Sequence, residues 1–178
     1  MPTNEPDAID GRILSELQES AKLTNLELST RVHLSPSPCL ARVRRLERAG
    51  LISRYVTLLD AGRLGLGISV IIQIGLEKQI ERALEVFEAA MQRYPEVMEC
   101  YLMSGDSDYL IRVVVRDVPS LQHFIVDELS KIPGVANIRS SFALKQVKYK
   151  TALPLPEPPT RESRLRKRRR GVSSMRTR

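Results

Sequence analysis

The spacing of the apolar residues changes at one point in the chain, and this change constrains the fold more than any other feature. Before Asp60, apolar residues recur at helical intervals, as Ile9 and Ile13 do. After Gly67, strand-like and helix-like segments alternate. Residues 60–67 contain three glycines and are predicted to form a linker. The chain is therefore predicted to be an α+β protein in two parts.

Three helices are predicted in the first part, residues 1–59. The first helix, over residues 8–20, has an apolar stripe and is amphipathic. Thr24 and Glu27 have the spacing of a capping box, in which each side chain satisfies the other's free backbone N–H. This box is predicted to begin a short second helix, and His33-Leu34 forms a tight connection to the third.

The third helix is predicted to begin within Ser35-Pro36-Ser37-Pro38. Either serine can serve as the N-cap, and Ser37 is favoured because the residue before a proline avoids the helical conformation. Gly50 is expected to end the helix. Residues 31–54 carry six arginines against one glutamate, so positive charge is concentrated at this helix.

Two sides of this third helix differ in character. Leu40, Val43 and Leu46 share one side and are predicted to dock it on the first two helices. The other side offers small residues, which permit close approach to a DNA groove, and guanidinium groups, which match guanine or phosphate. A solvated basic face is the alternative, but the preceding capped helix and tight turn favour a helix-turn-helix. The candidate DNA-binding residues are Ser35, Ser37, Pro38, Cys39, Ala41, Arg42, Arg44, Arg45 and Arg48.

Cys39 has a second interpretation. A small residue at the start of this helix suits packing against the first two helices, and we favour this role over a redox sensor. Cys100 is likewise predicted to belong to a core.

The second part, residues 68–150, has the element order β-α-β-β-α-β of a split βαβ fold. Strands are predicted at 69–76, 97–103, 109–115 and 135–147. Both helices are expected to cover one face of the sheet, which leaves the other face exposed. Because a large exposed apolar surface usually marks an interface, we expect two copies to form a sheet-to-sheet dimer. The apolar residues assigned to that outer face are Ile71, Cys100, Leu102, Leu110, Val114, Phe142 and Leu144.

Residues 151–178 form a Pro- and Arg-rich tail that is predicted from composition to be disordered. From Pro154 onward, nine Lys and Arg face two Glu, which accounts for the whole net charge of +7. The folded part is therefore neutral overall. Two roles for the tail remain open, sequence-independent phosphate contacts or a solubilising end.

Several classes of protein are disfavoured. The chain has no metal-ligand spacing, no Gly-rich phosphate loop and no acid–nucleophile constellation near His33 or His123, so no metal site and no catalytic residue are predicted. No signal peptide is recognised, and the longest apolar run is too interrupted to span a bilayer. A cytoplasmic protein with no membrane partner is predicted.

Two separate motifs resemble those of the Lrp/AsnC (leucine-responsive regulatory protein) family. The first comprises Asn25–Ser29, Leu34–Leu40 and Arg42–Glu47; the second is Ser104–Leu110, which resembles the family's Gly-Asp-x-Asp-Tyr loop. The match covers approximately residues 8–150. The resemblance implies a winged or near-winged helix-turn-helix joined to a ferredoxin-like sensor and oligomerisation domain. It also implies a sequence-specific transcriptional regulator of amino-acid metabolism genes, associated with a bacterial or archaeal nucleoid.

The partners implied by the resemblance are operator DNA, further copies of the chain in dimers, tetramers or octamers, and a free amino acid, leucine or another small one; no other cofactor is expected. The family binds the amino acid at the interface between dimers. A carboxylate such as Asp108 suits an ammonium group, and Gly105 allows backbone N–H groups to approach a carboxylate, although a plain hairpin turn is the alternative. Carried over by position, the effector-binding candidates are Leu102, Gly105, Asp106, Asp108, Ser140 and Ser141.

Two other functions compete with this interpretation. One is an amino-acid-binding metabolic or enzymatic domain of the same topology. The other is an RNA-binding protein, but RNA-binding sheets display stacking aromatic residues, whereas here aromatic residues make up 4% and tryptophan is absent. A gel shift with the gene's own upstream region, with and without amino acids, discriminates among the three.

Overall fold

The computed structural model describes residues 6–78 and 80–155, which fall into two compact units. One unit contains residues 6–57 and 149–155, and the other is Leu58–Lys148. The part of the Pro- and Arg-rich tail from Pro156 onward lies outside the described residues.

The first unit contains the three expected helices, α1 (Ala8–Glu19), α2 (Asn25–Arg31) and α3 (Pro36–Arg48). The capping box at α2 is confirmed, because Glu27 N–H donates to Thr24 Oγ1 (3.2 Å) and Thr24 N–H donates to Glu27 Oε2 (2.7 Å). The apolar stripes of the helices meet in one small core, whose buried members are Ile13, Leu28, Val32, Cys39 and Leu46.

The start of α3 differs from the prediction. Ser35 is the N-cap and Pro36 and Pro38 lie in the first turn, so the preference for Ser37 as the cap was wrong. First-turn residues have no intrahelical acceptor for their N–H groups, and two prolines therefore cost the helix no hydrogen bond. At the other end, Gly50 has a φ of 72°. Leu51 N–H donates to the Leu46 carbonyl (3.0 Å), which completes the glycine-dependent stop that was predicted.

The inward side of α3 is displaced from the predicted one by one residue. Cys39 and Leu46 are fully buried and Val43 packs beside them, whereas Leu40, which was predicted to dock, is 38% exposed. Cys39, Val43 and Leu46 have the i, i+4, i+7 spacing of one helical face, so the smaller cysteine takes the inward position.

Residues Tyr149–Leu155 belong to the first unit, although they follow the second unit in the chain. The side-chain amide of Gln18 on α1 pairs with the backbone of Leu153: Leu153 N–H donates to Oε1 (2.6 Å) and Nε2 donates to the Leu153 carbonyl (3.3 Å). These two bonds hold the described end of the chain against α1.

The second unit has the predicted element order and confirms the split βαβ arrangement. It contains β1 (Ile68–Leu76), α4 (Glu81–Met91), β2 (Val97–Leu102), β3 (Tyr109–Val115), α5 (Val118–His123) and β4 (Val135–Phe142). The strands form one antiparallel sheet in the order β2-β3-β1-β4. The core between the sheet and the helices includes Val70, Ile72, Phe87, Ile111 and Leu129.

Two elements of this unit depart from the prediction. The final strand ends at Phe142 instead of Val147, because Phe142 pairs with Val70 near the start of β1 and little strand remains to pair with. After α5 the chain continues as a π-helical segment, Phe124–Glu128, and a 3₁₀ turn. Phe124 and Leu129 are both buried. These two residues are five positions apart. The π-helical turn bonds residues at that spacing, so both side chains point toward the core.

The outer face of the sheet is less apolar than predicted. Ile71, Leu110 and Val114 lie on it, but Cys100, Leu102 and Phe142 pair directly with the helix-facing residues Ile111, Tyr109 and Val70 and were therefore assigned to the wrong face. A register shift between Val97 and Glu99 in β2 alters the alternation on that strand. Leu144 lies beyond β4 and belongs to neither face.

Candidate DNA-binding surface and effector loop

The turn between α2 and α3 sets the position of the third helix. His33 has a φ of 58° in this turn, a conformation that side chains other than glycine rarely adopt. Leu34 N–H donates to the Ser29 carbonyl (2.8 Å) and His33 N–H donates to the Thr30 carbonyl (3.2 Å), so two carbonyls of the last turn of α2 are satisfied. In addition, Asn25 Nδ2 donates to the Pro36 carbonyl (2.9 Å) and links the beginnings of the two helices.

The outward face of α3 has the composition expected of a helix that enters a major groove. The residues near its N-terminus are small and exposed, and guanidinium groups follow toward its C-terminus. Arg48 Nε donates to the Arg44 carbonyl (3.2 Å), which holds this side chain along the helix end. The exposed candidates on α3 and its cap are Ser35, Ser37, Pro38, Ala41, Arg44, Arg45 and Arg48.

Two of the predicted DNA-binding arginines are engaged inside the unit. Arg42 Nη1 lies 2.8 Å from Asp7 Oδ2 and 2.8 Å from Asp10 Oδ1, and Arg45 Nη2 is paired with Asp10 Oδ2. The side chains of Arg42 and Arg45 are 27% and 44% exposed, whereas that of Asp10 is 1% exposed. Hydrogen bonds to Asp7 and Asp10 raise the pKa of Arg42.

Cys39 does not belong to the DNA-binding surface. Its side chain is fully buried in the core of the first unit, where a groove-bound base cannot reach it, and its place among the DNA-binding candidates was therefore wrong. Its alternative role as a small packing residue is confirmed. Burial raises the pKa of the Cys39 thiol, which lowers the fraction present as the reactive thiolate.

The loop between β2 and β3 brings four of the six effector-binding candidates together. Leu102 is 60% exposed at the end of β2, and Asp106 is exposed in the loop. Gly105 has a φ of 143°, in the region that favours glycine. Asp108, by contrast, is 7% exposed, and its Oδ2 accepts the Leu76 N–H at 2.6 Å.

Backbone hydrogen bonds fix the end of this loop to its neighbours. Asp108 N–H donates to the Ile74 carbonyl (2.9 Å), and Met103 N–H donates to the Asp108 carbonyl (2.8 Å). The next residue, Tyr109, is buried, its hydroxyl donates to Glu88 Oε1 on α4 (2.8 Å), and its ring lies 4.5 Å from that of Phe87. Burial, together with the bond to Glu88, raises the pKa of Tyr109.

Ser140 and Ser141 are not part of this cluster within one chain. They lie on β4 and pair with Ile72 and Ile71, whereas Leu102 lies on β2 at the opposite edge of the sheet. Three strand spacings separate the two edges, which is about 14 Å. Residues on both edges can therefore contact one small ligand only if a second copy contributes one of them.

The buried carboxylate of Asp10 was not predicted from the sequence. Its signal was present, since Asp10, Ile13 and Leu17 have the i, i+3, i+7 spacing of one helical face and an acid therefore interrupts the apolar stripe of α1. Among residues 6–78 and 80–155, no group of three or more metal-ligating side chains is assembled. None of the helices in that part of the chain is sufficiently long and apolar to cross a membrane.

Each of the two units contains a region that matches a known protein family. Residues 6–53 match the model of a winged helix-turn-helix DNA-binding domain, and residues 69–153 match that of the Lrp/AsnC ligand binding domain. The leucine-responsive regulatory protein of Salmonella typhimurium is 41% identical over 152 residues, which are 85% of this chain and 93% of that protein. The corresponding protein of Escherichia coli K12 is 40% identical over the same shares.

Solved structures have the same architecture. A transcriptional regulator from Neisseria meningitidis, crystallised as an L-Met complex, is 41% identical with a TM-score of 0.81, covering 84% of this chain and 97% of that one. An AsnC family transcriptional regulator from Agrobacterium tumefaciens is 38% identical with a TM-score of 0.80 over the same shares. The α+β fold and the family resemblance carried by the two motifs are confirmed, and a regulator is favoured over an enzyme. The chain belongs to the Lrp/AsnC family of DNA-binding transcriptional regulators.

Proposed function

We propose that this regulator binds operator DNA through the outward face of α3 and that a free amino acid changes its DNA affinity by changing its oligomeric assembly. The observation that carries this proposal is the outward face itself, where small residues precede exposed arginines in the order that groove entry requires. Because residues 1–153 are neutral overall, attraction for phosphate there depends on local concentrations of basic residues, such as the six arginines in residues 31–54. We place the protein in the cytoplasm, on the nucleoid.

The DNA-binding face is tested with two variants of equal charge. Arg44→Ala removes an exposed guanidinium from α3, and Arg12→Ala removes one from the exposed side of α1. A gel shift on the gene's own upstream region should show about tenfold weaker binding for Arg44→Ala, the effect of losing one specific base contact. Arg12→Ala should lose far less. Equal losses, or tighter binding to RNA of the same sequence, contradict the proposal.

The amino-acid site is proposed at the loop between β2 and β3. The exposed carboxylate of Asp106 suits the ammonium group, N–H groups around Gly105 suit the carboxylate, and Leu102 contacts an apolar side chain. Asp108 acts mainly by holding the loop through Leu76. A second copy supplies Ser140 and Ser141 to complete the site. The L-Met complex of the Neisseria meningitidis relative supports this class of ligand.

Calorimetry with L-methionine and L-leucine tests this site. Asp106→Asn should weaken binding of the effective amino acid at least tenfold and leave DNA binding intact, because a neutral amide attracts ammonium less than a carboxylate does. Glu85→Gln, on the exposed side of α4, is the matched control and should bind normally. Equal binding by both variants contradicts the assignment of Asp106.

The oligomeric contact is proposed on the outer face of the sheet, where the partly exposed Ile71 and Leu110 form a short apolar strip beside Arg112. Two copies related by a two-fold axis cover this strip, and further association builds tetramers or octamers. Leu110→Asp should shift the sedimentation profile toward the monomer, whereas Val86→Asp, on the exposed side of α4, should not. An unchanged profile for Leu110→Asp contradicts a sheet-to-sheet dimer.

A further inference from the structure

The carboxylate of Asp10 lies between α1 and α3 and is almost completely withdrawn from solvent, with 1% of its side chain exposed. Its Oδ1 accepts from Arg42 Nη1 (2.8 Å), and its Oδ2 accepts from both Arg45 Nη2 and the Asp7 N–H (3.0 Å). One buried acid on the first helix thus binds two arginines of the helix that enters DNA.

Asp7 extends this network. Its Oδ1 caps α1 by accepting the N–H groups of Ile9 and Asp10 (both 2.9 Å), and its Oδ2 accepts from Arg42 at 2.8 Å. Burial acts to raise the pKa of Asp7, but the bonds from Asp10 N–H and from Arg42 outweigh it, so the net pKa is lowered. Arg42 is therefore held by two carboxylates at once.

Carboxylate and phosphate oxygens compete for the same guanidinium geometry, because arginine donates paired N–H bonds to either. Arg42 and Arg45 remain partly exposed, at 27% and 44% of their side chains, so water and phosphate can approach them from outside. A guanidinium that is already paired gains less from a phosphate than an exposed one such as Arg44.

We infer that Asp10 is a specificity-determining residue. It neutralises Arg42 and Arg45 from within the unit and limits phosphate binding that is independent of sequence. Discrimination then depends on base contacts made by the outward face of α3. This role goes beyond the proposed function and rests only on DNA binding through α3, not on the amino-acid site.

The test uses the full chain with Asp10→Asn, which keeps the shape of the side chain and removes its charge. Binding is measured against salt on a random-sequence duplex and on the gene's upstream region. For the random duplex, the slope of log K against log salt should steepen by about 0.9 for each guanidinium released. Its affinity at low salt should rise roughly threefold or more, and the ratio of specific to nonspecific affinity should fall.

Glu16→Gln is the matched control, since it removes the same charge from α1 and breaks a pair with Arg31 on α2 (2.9 Å) instead of α3. It should leave the slope unchanged. A folded Asp10→Asn variant with an unchanged or shallower slope overturns the inference, as does equal steepening by Glu16→Gln. A merely structural role weakens binding to both duplexes alike.

Asp7→Asn keeps the inference testable if Asp10→Asn fails to fold. Asparagine caps a helix as well as aspartate does, so this variant removes one carboxylate from Arg42 and preserves α1. It should steepen the slope by less than Asp10→Asn does, and an unchanged slope counts against the inference. Failure of DNA binding itself is distinguishable, because wild-type protein then shows no salt-dependent binding to either duplex.

Discussion

Asp10 in the first unit and Asp108 in the second are both buried aspartates, and their carboxylates bind groups of different kinds. Asp10 pairs with two arginines from another helix, so its partners are side chains that face solvent on their other side. Asp108 accepts the backbone N–H of Leu76 (2.6 Å), and its own backbone is bonded to Ile74.

This difference indicates what each aspartate controls. An ion pair with long side chains sets where guanidinium groups point, and these guanidinium groups belong to the helix that we propose enters DNA. A bond from a carboxylate to backbone sets the path of a loop, and that loop carries Leu102, Gly105 and Asp106. The first arrangement tunes charge on a surface, whereas the second tunes the shape of a site.

The largest effect is expected from Asp10→Ala. It leaves Arg42 and Arg45 without their buried acceptor and removes the capping bond to the Asp7 N–H, so unfolding free energy should fall by about 2–3 kcal/mol. The arginines stay partly hydrated, which keeps the loss below that of a fully buried pair. Urea denaturation measures it. Glu16→Ala, which breaks the exposed pair with Arg31, should cost less than about 1 kcal/mol. Equal losses of unfolding free energy in the two variants contradict the prediction that Asp10 contributes more to stability than Glu16.

Asp108→Ala should cost about 1–3 kcal/mol, because the Leu76 N–H loses its acceptor. Amino-acid binding should be abolished while DNA binding is retained, since the loop loses its shape and α3 is untouched. Asp108→Asn preserves a carbonyl acceptor and should lose less stability than alanine. Calorimetry and a gel shift on the same preparations check both parts, and normal amino-acid binding by Asp108→Ala refutes its role.

Two turns, one in each unit, also differ in which residue adopts a positive φ. His33 adopts a φ of 58° in the turn between α2 and α3, whereas Gly105 adopts 143° in the loop between β2 and β3. His33→Gly should therefore stabilise the first unit by about 1 kcal/mol. Gly105→Ala should destabilise the second by a similar amount through backbone strain alone, because no atom lies within 4 Å of the added Cβ. Thermal unfolding of both variants should move in opposite directions, and a common direction contradicts this.

Acidification should produce the smallest difference between the units. The pKa of Glu99 in the second unit is lowered by its bond to Arg112, and that of Asp7 in the first is lowered as described above, from ordinary values of 4.5 and 3.8. A lowered pKa contributes stability above the unfolded value and loses it as pH falls below that value. Both carboxylates are partly exposed, so each contributes under about 1 kcal/mol.

Urea denaturation at pH 7 and pH 3 measures this acid loss. Asp7→Asn and Glu99→Gln should each reduce it slightly, since the substituted side chain no longer titrates. A larger acid loss in either variant than in the wild type contradicts the direction of the pKa shifts.

Much of the fold was predictable because its signals are local. The capping box of Thr24 and Glu27, the stop at Gly50 and the succession of helices and strands along the chain all depend on residues close together in the sequence. The predictions were wrong where contacts between distant residues decide which side chains face the core. Leu40 and Cys39 compete for one inward position, and the register shift in β2 reverses the facing of Cys100.

The candidate sites divide in the same way. Exposure of Ser37, Ala41 and Arg44 follows from helical spacing and was predictable, but the pairing of Arg42 with Asp10 joins residues thirty-two apart in the chain. The separation of Ser140 from Leu102 across the sheet depends on strand order, which periodicity does not contain.

The amino-acid sequence by itself determined that the chain holds a helix-turn-helix and a split βαβ unit, and to which family it belongs, because periodicity, caps and motifs are local properties. Tertiary structure alone decided which arginines face outward freely and which are bound to a buried acid. It also decided that the Asp108 carboxylate accepts a hydrogen bond from the backbone N–H of Leu76. These outcomes depend on packing between distant segments, where burial strengthens every charge and hydrogen bond that it encloses.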